Sequence, residues 1–230
     1  MNLPGGRVGA VIAAAGSSQR MAGQDKIFID LGGRPLLAWA VDILESCAAV
    51  QQTVLVLAGE SVQTGLRLTR ESGWRKVSDV CAGGGRRQDS VLEGLRRLKG
   101  CDWVVIHDGA RPCLTVDLIE RGLEEATKTG AAIAAVPVSD TIKAVLPDAR
   151  VERTLQREML WAVQTPQVFR FDVVWTAYRQ ATVVATDDAS LVEMSGVPVR
   201  VYMGSRQNIK VTTPEDVILA EAILKNRGRF

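Results

Sequence analysis

The sequence predicts an α/β fold: a doubly wound, mostly parallel, Rossmann-like sheet with a projecting β-arm. Three observations predict it. Short, continuously apolar or β-branched runs recur as far as Val138, as expected of strands buried on both faces. Segments with apolar residues at three- and four-residue steps separate several of them, which indicates parallel strands joined by right-handed helical crossovers. One later stretch breaks this alternation and reads as a hairpin with no covering helix.

In chain order, the first strand is Val8–Ala15. The segment Met1 to Gly16 faintly resembles a signal peptide, but its apolar part is rich in Ala and Gly and has no Leu, so it reads as a buried strand. A helix is predicted over Pro35–Cys47, opened by a proline tolerated in a first turn. Strands follow at Thr53–Ala58, Lys76–Cys81, Trp103–His107 and Ala132–Val138, with helices at Arg87–Lys99 and Thr115–Thr129. Asp140–Leu146, the turn Pro147-Asp148-Ala149, and Arg150–Gln156 form the hairpin. An isolated two-stranded ribbon is marginal in water, so this arm is expected to pack on something, most simply a second copy of the chain. A helix over Asp172–Thr182, another from about Asp188 with a Ser190/Glu193 capping pattern, and a strand at Val199–Met203 come next. Thr213-Pro214-Glu215-Asp216 then opens the last helix with a cap, a preset φ and acids that complement the dipole. No linker or repeat interrupts the chain, so residues 1–230 read as one domain with an arm at about 139–157.

Composition narrows the function. Over 230 residues, 28 Lys+Arg oppose 26 Asp+Glu, a balance too even for a general nucleic-acid or membrane-surface binder. No apolar run approaches the roughly 18–20 residues of a membrane helix. The single histidine, His107, excludes two-histidine metal centres, and it reads better as a hydrogen-bonded residue near a strand end than as a catalyst. Cys47, Cys81, Cys101 and Cys113 form no C-x-x-C pair, which suits reduced thiols in a cytoplasmic protein.

Three clusters carry potential chemistry. Ala13-Ala14-Ala15-Gly16-Ser17-Ser18-Gln19-Arg20, with Lys26 beyond, can bring backbone N–H groups close to a polyphosphate and supply cations. It matches neither G-x-G-x-x-G nor G-x-x-x-x-G-K-[ST]. His107-Asp108-Gly109-Ala110-Arg111 ends a strand, where open α/β sheets place ligands; its carboxylate suits a Mg²⁺–phosphate or ribose hydroxyl and its arginine a phosphate. Gly83-Gly84-Gly85, followed by Ser90, allows close backbone approach to a flat or charged ligand. Asp187-Asp188 reads as a helix start rather than a metal pair, and Arg86, Arg87, Arg96 and Arg97 as solvated helix faces with at most one reaching phosphate. Trp161 reads as a core or arm anchor.

Together with Val138-Ser139-Asp140-Thr141-Ile142-Lys143, Arg157 through Leu160-Trp161 to Thr165-Pro166-Gln167-Val168-Phe169, Thr186-Asp187-Asp188-Ala189-Ser190, and Asn208-Ile209-Lys210-Val211-Thr212-Thr213-Pro214, these clusters resemble the 2-C-methyl-D-erythritol 4-phosphate cytidylyltransferases of the non-mevalonate isoprenoid pathway. The likeness spans about Val11 to Glu221. It implies a sheet of nucleotidyltransferase type, transfer of CMP from CTP to the polyol phosphate, and direct attack of that phosphate on the α-phosphorus. It places the triphosphate over Ala14, Ala15, Gly16, Ser17, Ser18 and Arg20. Cytosine would lie within Gly83, Gly84, Gly85 and Ser90, and the ribose and phosphates by Asp108 and Gly109. Arg20, Lys26, Arg157 and Lys210 would be the catalytic cations, and Arg111, Thr141, Thr165, Arg157 and Lys210 would hold the polyol phosphate. In such enzymes the arm reaches across a homodimer, and Mg²⁺ is expected on the triphosphate, near Asp108. Ser18, Gly85, Gly109 and Ile27 depart from the usual pattern without removing a cation. Ribitol 5-phosphate as acceptor, UTP or GTP as donor, and a non-catalytic nucleotide-binding role remain the alternatives.

Overall fold

The computed structural model describes residues 3–16 and 25–229; Ser17, Ser18 and Arg20 lie outside the described residues. The elements run β1 (Val8–Ala14), β2 (Asp30–Leu31), β3 (Arg34–Pro35), α1 (Leu36–Ser46), β4 (Val50–Leu57), α2 (Val62–Ser72), β5 (Val77–Ala82), α3 (Arg87–Arg97), β6 (Trp103–Asp108), α4 (Val116–Ala126), β7 (Ala131–Pro137), β8 (Lys143–Val145), β9 (Val151–Thr154), β10 (Trp161–Arg170), α5 (Phe171–Gln180), α6 (Asp188–Met194), β11 (Arg200–Met203) and α7 (Pro214–Asn226). The main sheet has the order β11-β7-β10-β6-β1-β4-β5. All its pairings are parallel except those of β10, which runs antiparallel to both β6 and β7.

Side-chain alternation explains the layers. Val8, Ala10, Ile12 and Ala14 of β1 face a core shared with α1 and α4, whereas Val11 faces one built with α3, α5 and α6. The last helix packs outside α1, where Ala220, Ile223 and Leu224 meet Leu31, Leu36 and Trp39. Thr213 and Asp216 cap this helix reciprocally, with Pro214 in the first turn, as the sequence predicts.

Two elements lie outside the periodicity. Helix α2 buries fully only Gly65, and Val62, Leu66 and Leu68 reach the core only half-buried; it stops at Gly73, whose φ of 67° is left-handed. Strand β10 is central yet contains Pro166, a residue that argues against an interior strand. It is accommodated at an irregularity, because the pairing with β7 shifts register between Val163 and Gln167 around a cis Thr165–Pro166 peptide. Two expectations need correction. The cap of α6 is Asp187, whose carboxylate accepts the Ser190 N–H at 3.1 Å, so the Ser190/Glu193 box does not form. Of the two roles expected for Trp161, core residue or arm anchor, the core one is excluded: it lies 40% exposed at the start of β10, opposite Pro137.

The arm is the β8–β9 ribbon, a separate two-stranded sheet. Every residue of β9 is exposed, as are Lys143 and Val145 of β8.

Helix α3 sits so close to the sheet that a Cβ on Gly94 would stand 2.5 Å from Val11 Cγ1 and 3.0 Å from Val56 Cγ2, both fully buried. Gly94→Ala should gain up to ~1 kcal/mol of helix propensity and lose about 1–3 kcal/mol to overpacking. Net destabilisation is expected, read as a lower urea midpoint at unchanged m-value.

Candidate active site

The parallel strands β1, β5 and β6 deliver their carboxyl ends to one edge of the sheet, where open α/β folds bind ligands. The centre of that edge is Asp108, the last residue of β6, which is buried. Lys210 Nζ donates to its Oδ2 at 2.8 Å. The Arg87 guanidinium donates to Oδ1 through Nε at 3.3 Å and Nη2 at 3.2 Å. Burial alone would raise the Asp108 carboxyl, but Arg87 and Lys210 overcome that and hold it far below the usual carboxylate range. Arg87 also grips Asp188 with Nη1 at 2.7 Å and Nη2 at 2.8 Å, and the Tyr178 hydroxyl donates to the same carboxylate. Arg87 is therefore no solvated cation, unlike Arg86, which pairs with Asp89 on the surface, or Arg96 and Arg97, which pair with Glu93.

Two cavities adjoin this hub and share Arg87, Asp108 and Lys210 as a wall. The smaller, about 260 Å³, is lined by the end of β1 (Ala14, Ala15 and Gly16) with Lys26 and Ser90. The larger, about 390 Å³, is lined by Arg111, Gln164 and Thr165 together with Thr186, Asp187 and Glu193. The Lys26 side chain is buried and makes no hydrogen bond or ion pair among the described residues. Its pKa is lowered by burial and by Lys210, against the opposing pull of Asp108, Asp216 and Asp25. Arg111 donates to the Asn208 carbonyl at 2.6 Å, while its buried Nε has no partner. Lys26, Arg87, Arg111 and Lys210 thus converge around the buried Asp108, a cluster of cations suited to anions, while Asp187 and Glu193 also line the larger cavity.

Other predicted residues act as scaffold. A Cβ at Gly83 would lie 2.3 Å from Ala15 Cβ, so this glycine lets the loop after β5 rest on the end of β1. Ser90 accepts from the Gly84 N–H at 3.2 Å and donates to the Arg86 carbonyl at 3.1 Å, which shapes the same loop. Gly84 lies against Asp89, and Gly85 has open space where a Cβ would stand; Gly83, Gly84 and Gly85 line neither cavity. Gly109 turns inward: its N–H donates to Ala13 at 3.0 Å, and a Cβ there would meet Ala14 Cβ at 2.7 Å, so its place is packing rather than a ligand wall. Thr141 and Arg157 are exposed on and beside the arm and line neither cavity of their own chain. Arg157 Nη1 donates to the Ser139 carbonyl at 3.2 Å.

Hydrogen-bond logic fixes the role of His107. The Arg111 carbonyl only accepts, so Nε2 must carry the proton donated to it at 3.1 Å. Burial pushes the imidazole down to about 4, so at neutral pH Nδ1 is bare and accepts the Thr165 hydroxyl proton at 3.0 Å. Thr165 Oγ1 in turn accepts the Asp108 N–H at 3.0 Å. Both nitrogens are engaged, and the ring orients Thr165 and the backbone at Asp108 rather than moving protons. Thr165 has no free hydroxyl proton for a substrate.

The sequence missed Arg87, Gln164, Gln167, Thr186 and Asp187 as cavity residues. The available signal for Arg87 was its position: the first turn of a helix entered from a glycine loop at a strand end points at the ligand edge. Among the described residues no three His, Cys, Asp or Glu side chains gather to hold a metal ion.

A sequence model of the 2-C-methyl-D-erythritol 4-phosphate cytidylyltransferase family matches residues 8–226. The chain is 51% identical over 223 residues to the protein of that name from Dehalococcoides mccartyi strain CBDB1, covering 97% of this chain and 98% of the relative. It is 46% identical over 231 residues to the one from Pelotomaculum thermopropionicum, covering 97% of each. Among solved structures, the 4-diphosphocytidyl-2C-methyl-D-erythritol synthase from Anaerococcus prevotii superposes with a TM-score of 0.83 at 28% identity, over 95% of this chain and 98% of that one. The 2-C-methyl-D-erythritol 4-phosphate cytidylyltransferase from Thermus thermophilus gives 0.77 at 33% identity, over 94% and 98%.

A buried, neutral histidine makes stability depend on pH. An unfolded histidine takes up its proton near 6.5 and the folded one only near 4, so between these values the unfolded chain binds more protons. Stability is fully present above about 6.5 and declines as pH falls towards 4. Urea unfolding should show a loss on the order of 2 kcal/mol between pH 7 and pH 5 from this group, and His107→Gln should flatten that part of the slope.

Proposed function

The chain belongs to the 2-C-methyl-D-erythritol 4-phosphate cytidylyltransferase family, and from that premise we propose that it transfers CMP from CTP to 2-C-methyl-D-erythritol 4-phosphate with release of pyrophosphate. The observation that carries this reading is the convergence of Lys26, Arg87, Arg111 and Lys210 around Asp108, at two joined cavities on the ligand edge of the sheet.

The chemistry fits such a site. The nucleophile is a phosphate monoester whose second pKa is about 6, so it is already largely ionised at neutral pH and needs no general base. Two anions must be held together while charge builds around the α-phosphorus, which fixed cations can achieve by positioning and electrostatic stabilisation. In this reading the triphosphate lies over Ala14, Ala15 and Gly16 within reach of Lys26. Lys210, at the shared wall, serves both anions, and Arg111 faces the polyol phosphate. The larger cavity, with Gln164, Thr186 and Asp187, offers polar partners for polyol hydroxyls. Mg²⁺ would arrive on the triphosphate. One carboxylate plus substrate phosphates is a usual Mg²⁺ environment, and Asp108 is the carboxylate in place once Lys210 turns to phosphate. When bound, the ion supplies charge neutralisation between phosphate oxygens. Thr141 and Arg157, stranded on the exposed arm, would complete the site of a second copy in a homodimer.

The test is pyrophosphate release by the purified protein with CTP and 2-C-methyl-D-erythritol 4-phosphate, against UTP or GTP as donor and ribitol 5-phosphate as acceptor. Preferred use of another acceptor or donor would overturn the assignment. Lys26→Ala and Lys210→Ala should each lower kcat by about 10²–10³-fold. If the arm serves a partner, mixing Arg157→Ala and Lys210→Ala subunits should restore roughly a quarter of normal turnover, because half of the mixed dimers' sites are intact. No restoration after verified exchange would confine Arg157 to its own chain.

A further inference from the structure

Arg87 has five N–H donors, and four of them are committed: Nε and one Nη2 proton to Asp108, the other Nη2 proton and one Nη1 proton to Asp188. One Nη1 proton remains. That is a poor design for a phosphate clamp, which would present a free edge of the guanidinium. It is a good design for a strut. One edge of the plane is locked on Asp188 of α6, and the adjoining edge bears on one oxygen of Asp108. Asp188 is fully buried and is itself held by the Tyr178 hydroxyl from α5, so the far end of the strut cannot drift.

We propose that Asp188 and Tyr178 are positioning residues, which hold the Arg87 guanidinium against Asp108 Oδ1 so that Asp108 presents Oδ2 alone to Lys210 and the cavities. This deepens the transfer reaction proposed above and rests on it. The physical need is clear. A carboxylate at a strand end can swing about its Cβ–Cγ bond, and Lys210 is a flexible, half-exposed cation whose Nζ bond is set by that carboxylate. With Oδ1 occupied from behind by two N–H groups, Asp108 has one orientation, and Lys210 is stationed at the wall that both cavities share. Neither Asp188 nor Tyr178 lines either of the two site cavities, so their effect passes through Arg87 and Asp108. Helices α5 and α6, which pack on the face of the sheet opposite α1, thereby gain a part in the chemistry beyond covering the core.

The charged groups that face Asp108 are Arg87 from α3, Lys210 from the segment before α7, Arg111 after β6, and Lys26 before β2, beside a neutral His107. Two mechanisms therefore predict opposite outcomes for Asp188→Asn. If Arg87 stayed in place, loss of a competing carboxylate would strengthen its hold and carry the Asp108 titration further into acid. If Asp188 positions Arg87, its release raises the pH at which Asp108 protonates. Carboxyl NMR of Asp108 in the free protein should show that rise in Asp188→Asn and a smaller one in Tyr178→Phe, which removes only one hydrogen bond and keeps the fold testable. In the pyrophosphate assay, kcat of Asp188→Asn should fall roughly tenfold with KM for CTP little changed. In an Arg87→Gln background the same substitution should cost nothing further, because the residue it acts through is gone. A titration that stays put or moves to lower pH, or a loss that adds fully in the double variant, would overturn the proposal. If the unaltered protein released no pyrophosphate, the proposed reaction would fall, while the Asp108 titration would still decide the positioning.

Discussion

A buried carboxylate at the end of β6 is the constraint around which the rest is arranged. Asp108 has been taken out of water, and an ion in that position is tolerated only when opposite charges come to it with good geometry. The fold brings them from far along the chain. Arg87 arrives from the first turn of α3 and Lys210 from the segment before α7, each through a side chain that only the tertiary structure aligns. Removing one partner of such a pair commonly costs about 3–5 kcal/mol, since the remaining charge is left buried and alone. The hub therefore ties folding to the assembly of the site: a chain that cannot place Arg87 and Lys210 cannot keep Asp108 charged.

Much of this was legible in the sequence because it is written in local chemistry. Continuous apolar runs marked β1, β4, β6 and β7, since strands covered on both faces need no alternation, while the edge strand β5 showed through its β-branched residues despite an exposed Ser78. Thr213, Pro214 and Asp216 announced α7 through the needs of its first-turn N–H groups. The hairpin arm was visible because nothing nearby could cover it. Strand β10 was hidden for the opposite reason. Gln164, Thr165 and Gln167 are polar yet buried, because each is consumed by a specific partner: Ser205, His107 and Asp108, and Asp187 and Ala189 respectively. Such satisfaction is a property of three dimensions, and with Pro166 in the run no periodicity reveals it. Arg87 was misread on the same account, since a basic residue at a helix start looks solvated until its two carboxylates, 21 and 101 residues away, are in place. The predicted cations divide likewise. Lys26 and Lys210 meet at one cavity, whereas Arg157 stays on the exposed side of its own chain.

The histidine shows how chemistry can be read from what a group is prevented from doing. His107 sits next to the hub in sequence and in space, where a general base would be expected in many enzymes. Its two nitrogens are spent on Thr165 and the Arg111 carbonyl, and burial keeps it neutral far below physiological pH. A reaction that required proton abstraction here would find no base in this residue. A reaction between an ionised phosphate monoester and an activated phosphate requires none, and the locked histidine then contributes rigidity at the strand end.

The same site is where the chain departs most from the rule that buried polar atoms find partners. Among the described residues, three buried side-chain atoms lack one, and two of them are Arg111 Nε and Asn208 Oδ1, on residues joined by the bond from the Arg111 side chain to the Asn208 backbone carbonyl. Lys26, at the adjoining cavity, is buried with no side-chain acceptor among the described residues. Each such group costs about 1–3 kcal/mol relative to a paired one, and a protein selected for stability alone would have replaced them or given them partners. Arg111 at the wall of the larger cavity and Lys26 at the smaller, a lysine whose charge is disfavoured by burial and by Lys210, are what a receptor for anions looks like before the anions arrive. The pairing that the Arg111 and Lys26 donors lack is left for phosphate to complete, so binding relieves part of a cost already present in the folded chain, and part of the affinity for two highly charged substrates is stored in the architecture of the strand ends.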